Sequence, residues 1–420
     1  MRVLVLGAGV VGLTTAWALT EAGCDVVIVD RSADAGGEAS QGNGAQLSYS
    51  FVAPFASPET LRHMPGLLLQ RDGPVRMRPG FDRDFLRWGL AFLRACTAGA
   101  VARTTVAQLG LAALSRAEME RLTRALPLEF GLRVAGKLVV HRDASAFKAA
   151  RRQAERQKGV GADQDVLDAR ECLALEPGLR VPKSALAGGI YTAADQVGDC
   201  AAFCRDLAGV LRQRNTVEWR MGEACSPVVR GGRMVGVQVG AEVVEGNETV
   251  LCLGAGAAGF ARAAGVRLPI VPMKGYSLTL TPRTPLSHSV TDMARKIVFA
   301  PLPGGVVRVA GIADFVGHDR RLDPARVGVM TRAAADTLDV DVSGNVEPWA
   351  GLRPVTPDSR PLIGPSGLPG LFLNTGHGGL GWTLAAGSAR LAVDLLMDRM
   401  PAVQAGWFAP GRRAPAFNAG

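Results

Sequence analysis

The sequence predicts an α/β fold with an inserted α+β portion, and two observations carry that prediction. An apolar run enters a glycine turn and then a helix at three places, Arg2–Ala22, Glu248–Ala257 and Leu371–Met397. Units of this kind assemble a parallel sheet. The stretches between them carry strands of another sort: Gly136–His141, Leu186–Tyr191, Ile270–Thr281, and Ile297–Ala300 with Val306–Ala310 across Pro303-Gly304-Gly305. Hairpins and alternating runs make an antiparallel sheet. The chain divides accordingly. Residues 1–50, 196–265 and 345–420 form a discontinuous nucleotide-binding domain, and 51–195 with 266–344 a substrate-binding domain.

At the first corner, Arg2-Val3-Leu4-Val5-Leu6 has the unbroken apolarity of a buried parallel strand. It runs into Gly7-Ala8-Gly9-Val10-Val11-Gly12 and an Ala/Leu-rich helix stopped by Gly23; Val26–Val29 follows and ends in Asp30. This is the order of a Rossmann-type dinucleotide fingerprint. Gly7 permits the tight turn, Gly9 lets backbone approach a pyrophosphate, and Gly12 lets helix and strand pack closely. The free N–H groups of the first helical turn attract phosphate, and Asp30 can hold ribose hydroxyls. A carboxylate there repels a 2′-phosphate, so a free 2′-OH is expected. The fingerprint leaves NAD and FAD both open.

Composition narrows the class. The 420 residues are 48% hydrophobic and 20% charged, which describes a globular chain with ample core. The net charge of +9 suits an anionic membrane surface or an acidic electron carrier, but the basic residues are scattered, which favours a merely basic surface. No aromatic-interleaved basic patch suggests nucleic acid. Seven cysteines, Cys24, Cys96, Cys172, Cys200, Cys204, Cys225 and Cys252, sit mostly in apolar runs, as reduced cytoplasmic thiols do. Cys200 and Cys204 lack a second pair or nearby His, so no metal site is expected. The N-terminal apolar run is too short for a signal peptide, and no stretch reaches the ~18 residues of a membrane span. Any membrane contact is therefore expected to be peripheral, on the inner face.

Further along, Glu38 to Ser48 is dense in small residues and backbone-bonding side chains. It reads equally as a surface loop or as a cradle for the long ribityl arm of a flavin. Residues 81–95, with Phe81, Phe85, Trp88 and Phe92 between Arg83, Arg87 and Arg94, have helical apolar spacing. A packed helix is favoured there over a membrane-surface one. Helices are expected at 101–126, 144–158 and from Cys200 through Leu211, and strands and a hairpin within 216–253. The second corner, Leu253-Gly254-Ala255-Gly256, adds a strand to the nucleotide sheet. The third runs from Leu371-Phe372-Leu373-Asn374 through Thr375-Gly376-His377-Gly378-Gly379-Leu380-Gly381-Trp382-Thr383 into a helix. A helix N-terminus carries about half a positive charge. Aimed at the pyrimidine edge of a flavin, it would stabilise the anionic reduced ring. Ligand contacts at both ends of the chain fit a flavoprotein better than an NAD enzyme.

On these residues the chain resembles the D-amino-acid dehydrogenase family (small-subunit type), within the D-amino-acid oxidase, glycine oxidase and sarcosine oxidase group of FAD-dependent oxidoreductases. The matching pieces are Val3–Asp30, Ser40–Ser48, Val197–Cys200, Pro272–Leu278, Gly351–Asp358 and Asn374–Thr383, essentially the whole chain. The resemblance implies a Rossmann-type FAD-binding domain with an inserted α+β substrate domain, and non-covalent FAD. Gly7, Gly9, Gly12, Asp30, Arg31, Ser40, Asn43, Gly44, Gln46, Ala224 and Gly254 then fall on or beside cofactor positions, while Gly378, Gly379, Leu380, Gly381 and Thr383 line the isoalloxazine. Arg353 falls on the carboxylate-binding position and Tyr276 beside it. Asn43-Gly44-Ala45-Gln46 departs from the family's usual Asn-Ala-Gly-Gln, and Tyr49–Pro54 and the tail after Trp407 match poorly, so substrate identity stays open.

The chemistry implied is oxidative deamination of a D-amino acid: hydride leaves Cα for flavin N5, and the imine hydrolyses to a 2-oxo acid and ammonia. Arg353 offers a planar fork to the carboxylate. Tyr276 serves either that carboxylate or strand packing, and His377 positions backbone rather than acting as a base. The acceptor is a quinone or O₂. An N-substituted glycine or D-proline-type imino acid is the nearest rival substrate; an NAD dehydrogenase and a non-catalytic flavin subunit are more distant readings.

Overall fold

Val3 and Val5 face one core while Leu4 and Leu6 face another, so the strand Arg2–Leu6 is buried on both sides. That strand is central in a six-stranded sheet. Its neighbours, in order across the sheet, begin with Val217–Met221 and Asp25–Asp30 on one side. On the other side lie Glu248–Leu251, Leu371–Thr375 and the antiparallel Leu362–Pro365. The computed structural model describes residues 1–50, 52, 54–69, 73–77, 83–158, 164–344 and 346–412. Phe51 and Ala53 of the poorly matching segment, Phe81, and the tail from 413 on lie outside them.

The helices Val10–Glu21, Cys200–Arg212 and Gly381–Leu396 cover one face of the parallel sheet. A small three-stranded sheet of Cys225–Arg230, Arg233–Val239 and Glu242–Glu245, with the short helix Ala257–Ala263, covers the other. The first helix stops as expected: Gly23 has φ +84° and Cys24 N–H donates to Leu19 C=O at 3.0 Å. The long helix Ala98–Ala125 falls in the stretch read as substrate domain, yet its face Leu111, Ala112, Met119 and Leu122 packs into the nucleotide-side core. Gly387 allows the contact, because a Cβ there would lie 2.6 Å from Ser115 N and 2.7 Å from Leu111 O.

The second sheet has nine strands. The main path runs from Glu347–Val355 through Val271–Leu280, Val307–Phe315 and Ile297–Pro301 to Ser289–Asp292, Lys137–His141, Gly188–Thr192 and Asp165–Leu167, with Val75–Met77 pairing beside Val307–Phe315. Most neighbours are antiparallel; Ser289–Asp292 on Lys137–His141 and Val75–Met77 on Val307–Phe315 are parallel. One face buries Tyr276, Leu278, Phe299, Val309 and Met330. The helix Arg83–Ala95 turns Trp88 and Phe92 onto Met273, Phe315 and Val355, the packed arrangement expected of it.

Candidate active site

All five parallel strands end at one edge of the nucleotide sheet, and a cavity of about 1280 Å³ lies along that edge. Gly7, Gly9, Asp30, Arg31, Ala224 and Gly254 line it on the nucleotide side, and Ser40, Asn43, Gly44 and Gln46 line it from the following loop. Gly378, Gly379, Gly381, His377 and Arg353 line it from the C-terminal part of the chain. Three corners distant in sequence thus share one space.

The backbone explains why glycine is needed at the first corner. Gly7 has φ +109°, and a Cβ there would lie 2.6 Å from Cys252 O of the second corner. Gly12 lines no part of the cavity; its Cβ would lie 1.7 Å from Gly7 O, so its work is helix–strand packing. Asp30 is held by two N–H groups, accepting from Ala8 at 2.6 Å and Ser32 at 2.7 Å. Ser40 Oγ accepts from Val10 N–H at 3.0 Å, at the start of the first helix. Both side chains therefore shape the turn as well as line the cavity.

The Glu38–Ser48 segment is a built cradle. Asn43 Oδ1 accepts from Ala45 N–H at 2.9 Å, Gln46 Nε2 donates to Ser289 Oγ, and Gly42 packs so closely on Trp349 that a Cβ would lie 2.1 Å from its ring. Arg308, from the antiparallel sheet, donates to Asn43 O at 2.9 Å. The sequence reading missed Arg308 and Trp349; an arginine inside the apolar run Val306–Ala310 was the available signal. At the third corner, Gly376 and Gly378 have φ +80° and +56°. A 3₁₀ turn, Gly378–Leu380, then leads into the helix Gly381–Leu396. Leu380 and Thr383 line no part of the cavity: Leu380 packs into the core, and Thr383 Oγ1 donates to Gln46 O at 3.5 Å.

Arg353 pairs with Met273 across neighbouring strands, on the sheet face that also carries Gly275 and Gly351. Gly275 makes room for it, since a Cβ there would lie 2.4 Å from the guanidinium carbon. Its Nη1 donates to Ile312 O at 3.2 Å, and burial pulls its pKa below the ordinary value. Ile312 sits at φ +44° beside a register shift, an uncommon backbone for a β-branched residue. Among the described residues no carboxylate pairs with Arg353. A desolvated guanidinium without a counter-charge is costly, so the site is complementary to an anion.

Tyr276 lines part of the cavity, as its pocket position predicts, but its ring packs on the opposite sheet face. Its hydroxyl donates to Asp314 Oδ2 at 3.1 Å, and Asp314 also pairs with Arg76 at 2.7 Å and Arg326 at 2.8 Å. The structure thus does not bring the Tyr276 hydroxyl to Arg353; strand alternation turns the two apart. His377 is buried, its Nε2 has no hydrogen-bond partner, and burial pushes its pKa down to about 3. It is neutral at physiological pH, and its backbone bridges to Val355. Among the described residues no His, Cys, Asp or Glu cluster could hold a metal, and no helix is long and apolar enough to cross a membrane.

The residues present fit a bound dinucleotide-length cofactor. The cavity joins the first helix N-terminus, the glycine corners and the Ser40–Gln46 cradle, and the buried His377 nitrogen is left without a protein partner. Comparison with known proteins agrees. The family model described as FAD dependent oxidoreductase matches residues 2–395. The chain is 43% identical to D-amino acid dehydrogenase 2 of Ralstonia nicotianae, over 98% of this chain and 100% of that protein. It is 41% identical to D-amino acid dehydrogenase 2 of Pseudomonas aeruginosa, over 96% of each. Glycine oxidase of Geobacillus kaustophilus shares the fold at TM-score 0.78 and 20% identity, covering 99% of this chain and 100% of that one. The chain belongs to the D-amino-acid dehydrogenase family of FAD-dependent oxidoreductases.

Proposed function

We propose that this family member oxidises a free D-amino acid, holding its carboxylate on Arg353 beside the third glycine corner. The observation that carries this reading is the buried Arg353 guanidinium, which faces the cavity and, among the described residues, has only a backbone carbonyl as its partner. Gly7, Gly9, Ser40, Asn43, Gln46 and Ala224 would hold the nucleotide part of FAD, and Gly378, Gly379 and Gly381 its ring. FAD, when bound, supplies the hydride acceptor.

The chain's own residues orient and exclude. Arg353 fixes the carboxylate so that one face of Cα is presented, which is worth far more than acid–base help in a reaction limited by alignment. His377, neutral and without a second proton, holds backbone at the corner. The amine must arrive unprotonated, since its lone pair drives hydride departure, and the imine product takes water to give a 2-oxo acid and ammonia. Tyr276 stays outside this machinery, its hydroxyl committed to Asp314.

The acceptor is a quinone rather than O₂, in line with the dehydrogenase names of the relatives. Exposed Leu86, Leu90 and Leu93, interspersed with exposed Arg83, Arg87 and Arg94, give the helix Arg83–Ala95 a face that would rest on an anionic lipid surface from the cytoplasmic side. Co-sedimentation with vesicles containing anionic lipid, lost at high salt, tests that contact. The central test is anaerobic bleaching of the purified yellow protein by D-alanine, D-proline and sarcosine. Bleaching by D-alanine is expected. Bleaching by sarcosine or D-proline alone would move the substrate to an imino acid, and bleaching by none would leave a non-catalytic subunit.

A further inference from the structure

A second chamber of about 440 Å³ adjoins the main cavity. Phe55, Thr60 and Val75 line both spaces, and among the described residues Thr60 is the only hydroxyl-bearing one in the lining. The wall is aromatic: Trp88 stacks on Phe92 with centroids 5.2 Å apart, and Phe315 lies 5.7 Å from Trp88. Its position relative to the active site is fixed by hydrogen bonding. Trp88 Nε1 donates to Val355 O at 2.9 Å, two residues along the strand from Arg353, and Val355 bridges to His377. The chamber therefore abuts the substrate end of the cavity and not the Asp30 and Ala224 end.

The outer wall decides what enters. Leu86, Leu90 and Leu93 line the chamber yet are 53%, 57% and 47% exposed. A pocket for a substrate side chain would be sealed by its outermost walls. Here they face outward among Arg83, Arg87 and Arg94, so an apolar ligand can pass between the leucines from outside. A lining that among the described residues has one hydroxyl and no charge selects hydrocarbon and flat aromatic surface.

We propose that this chamber binds the lipid-soluble quinone that reoxidises the enzyme, its ring among Phe55, Trp88 and Phe315 and its tail leaving between the three leucines. The assignment rests on the amino-acid oxidation reading above. Overall, the Cα–H and N–H hydrogens of the amino acid, with their two electrons, end on the two quinone oxygens. The amino acid becomes the imine and the quinone the hydroquinone. No other oxidant is needed.

Gly89 gives the test, because it lines the chamber on an exposed helix and a Cβ there meets nothing within 4 Å. Gly89→Phe fills the space, and Gly89→Ala, which favours helix, is the control. With full-length FAD-loaded enzyme, titration with a short-tailed ubiquinone analogue is followed by tryptophan fluorescence, alongside steady-state rates with that quinone and with a hydrophilic dye. Gly89→Phe is expected to weaken quinone binding and kcat/KM for quinone by at least about tenfold. Dye reduction and anaerobic bleaching by D-alanine should stay within about twofold, and Gly89→Ala should behave as the parent. Equal quinone binding in Gly89→Phe and parent overturns the assignment. So does a rise in KM for D-phenylalanine without one for D-alanine, which would make the chamber a side-chain pocket. If quinone quenching is lost in Gly89→Phe but no amino acid bleaches the parent, the substrate reading fails while the chamber stands.

Discussion

Around the nucleotide corners the cavity is walled largely by backbone, whereas around Arg353 it is walled by side chains brought in from distant strands. Gly7 and Gly378 take positive φ, and a Cβ on Gly7 would strike Cys252 O at 2.6 Å. Arg353 depends on Gly275 of a neighbouring strand for room and on Ile312 of a third strand for its carbonyl partner. Behind it, Tyr276, Asp314, Arg326 and Arg76 form a network on the opposite face. Contiguous backbone turns shape one end of the cavity, and side chains held by several strands place a buried cation at the other.

If that division is right, the largest effect belongs to the backbone side. Gly12→Ala places a Cβ 1.7 Å from Gly7 O and should cost more than about 4 kcal/mol, seen as loss of folded yellow protein. Normal flavin content in that variant would break the comparison. Next, Asp314→Ala leaves the buried Arg326 without its counter-charge and should lower urea-unfolding stability by about 3–5 kcal/mol. A protein of unchanged stability would show the network to be ornamental.

Arg353→Ala separates the two ends most cleanly. It should lower kcat/KM for D-amino acids by the equivalent of about 2–4 kcal/mol while the flavin spectrum stays intact. Unchanged kinetics would remove Arg353 from the site. His377 sharpens the contrast through pH. Its folded pKa is about 3, below the ~6.5 of an unfolded histidine, so the unfolded chain binds the proton first. Stability is therefore lost as pH falls below about 6.5, by about 1.4 kcal/mol per pH unit, until the folded value is reached. His377→Gln should flatten that part of the stability profile. The smallest effect is Tyr276→Phe, about 0.5–1.5 kcal/mol of stability with unchanged KM. A raised KM would return Tyr276 to the substrate.

The nucleotide half was readable because its signals are contiguous. Val3–Asp30 and Asn374–Thr383 each contain strand, turn and helix within a short span, and the structure places Gly7, Gly9, Asp30, Gly378, Gly379 and Gly381 on one cavity. Reading position as contact failed where packing takes the residue: Gly12 and Leu380 support the corners without lining the space. Arg308 went unseen because its partner, the Asn43 carbonyl, is remote in sequence. The motif that contains Tyr276 carried no information on which face its ring would take.

By itself, then, the sequence determined the α/β class, the three glycine corners that line one cavity, and Arg353 as a cation beside them, since each rests on local periodicity or on a run of adjacent residues. Only the tertiary structure decided that Tyr276 turns away, that Arg308 latches the loop, and that an aromatic chamber opens beside the site under Leu86, Leu90 and Leu93. Those outcomes depend on strand register and on which helix packs over which sheet face. Such relations join residues far apart in the chain, and local pattern leaves them undetermined.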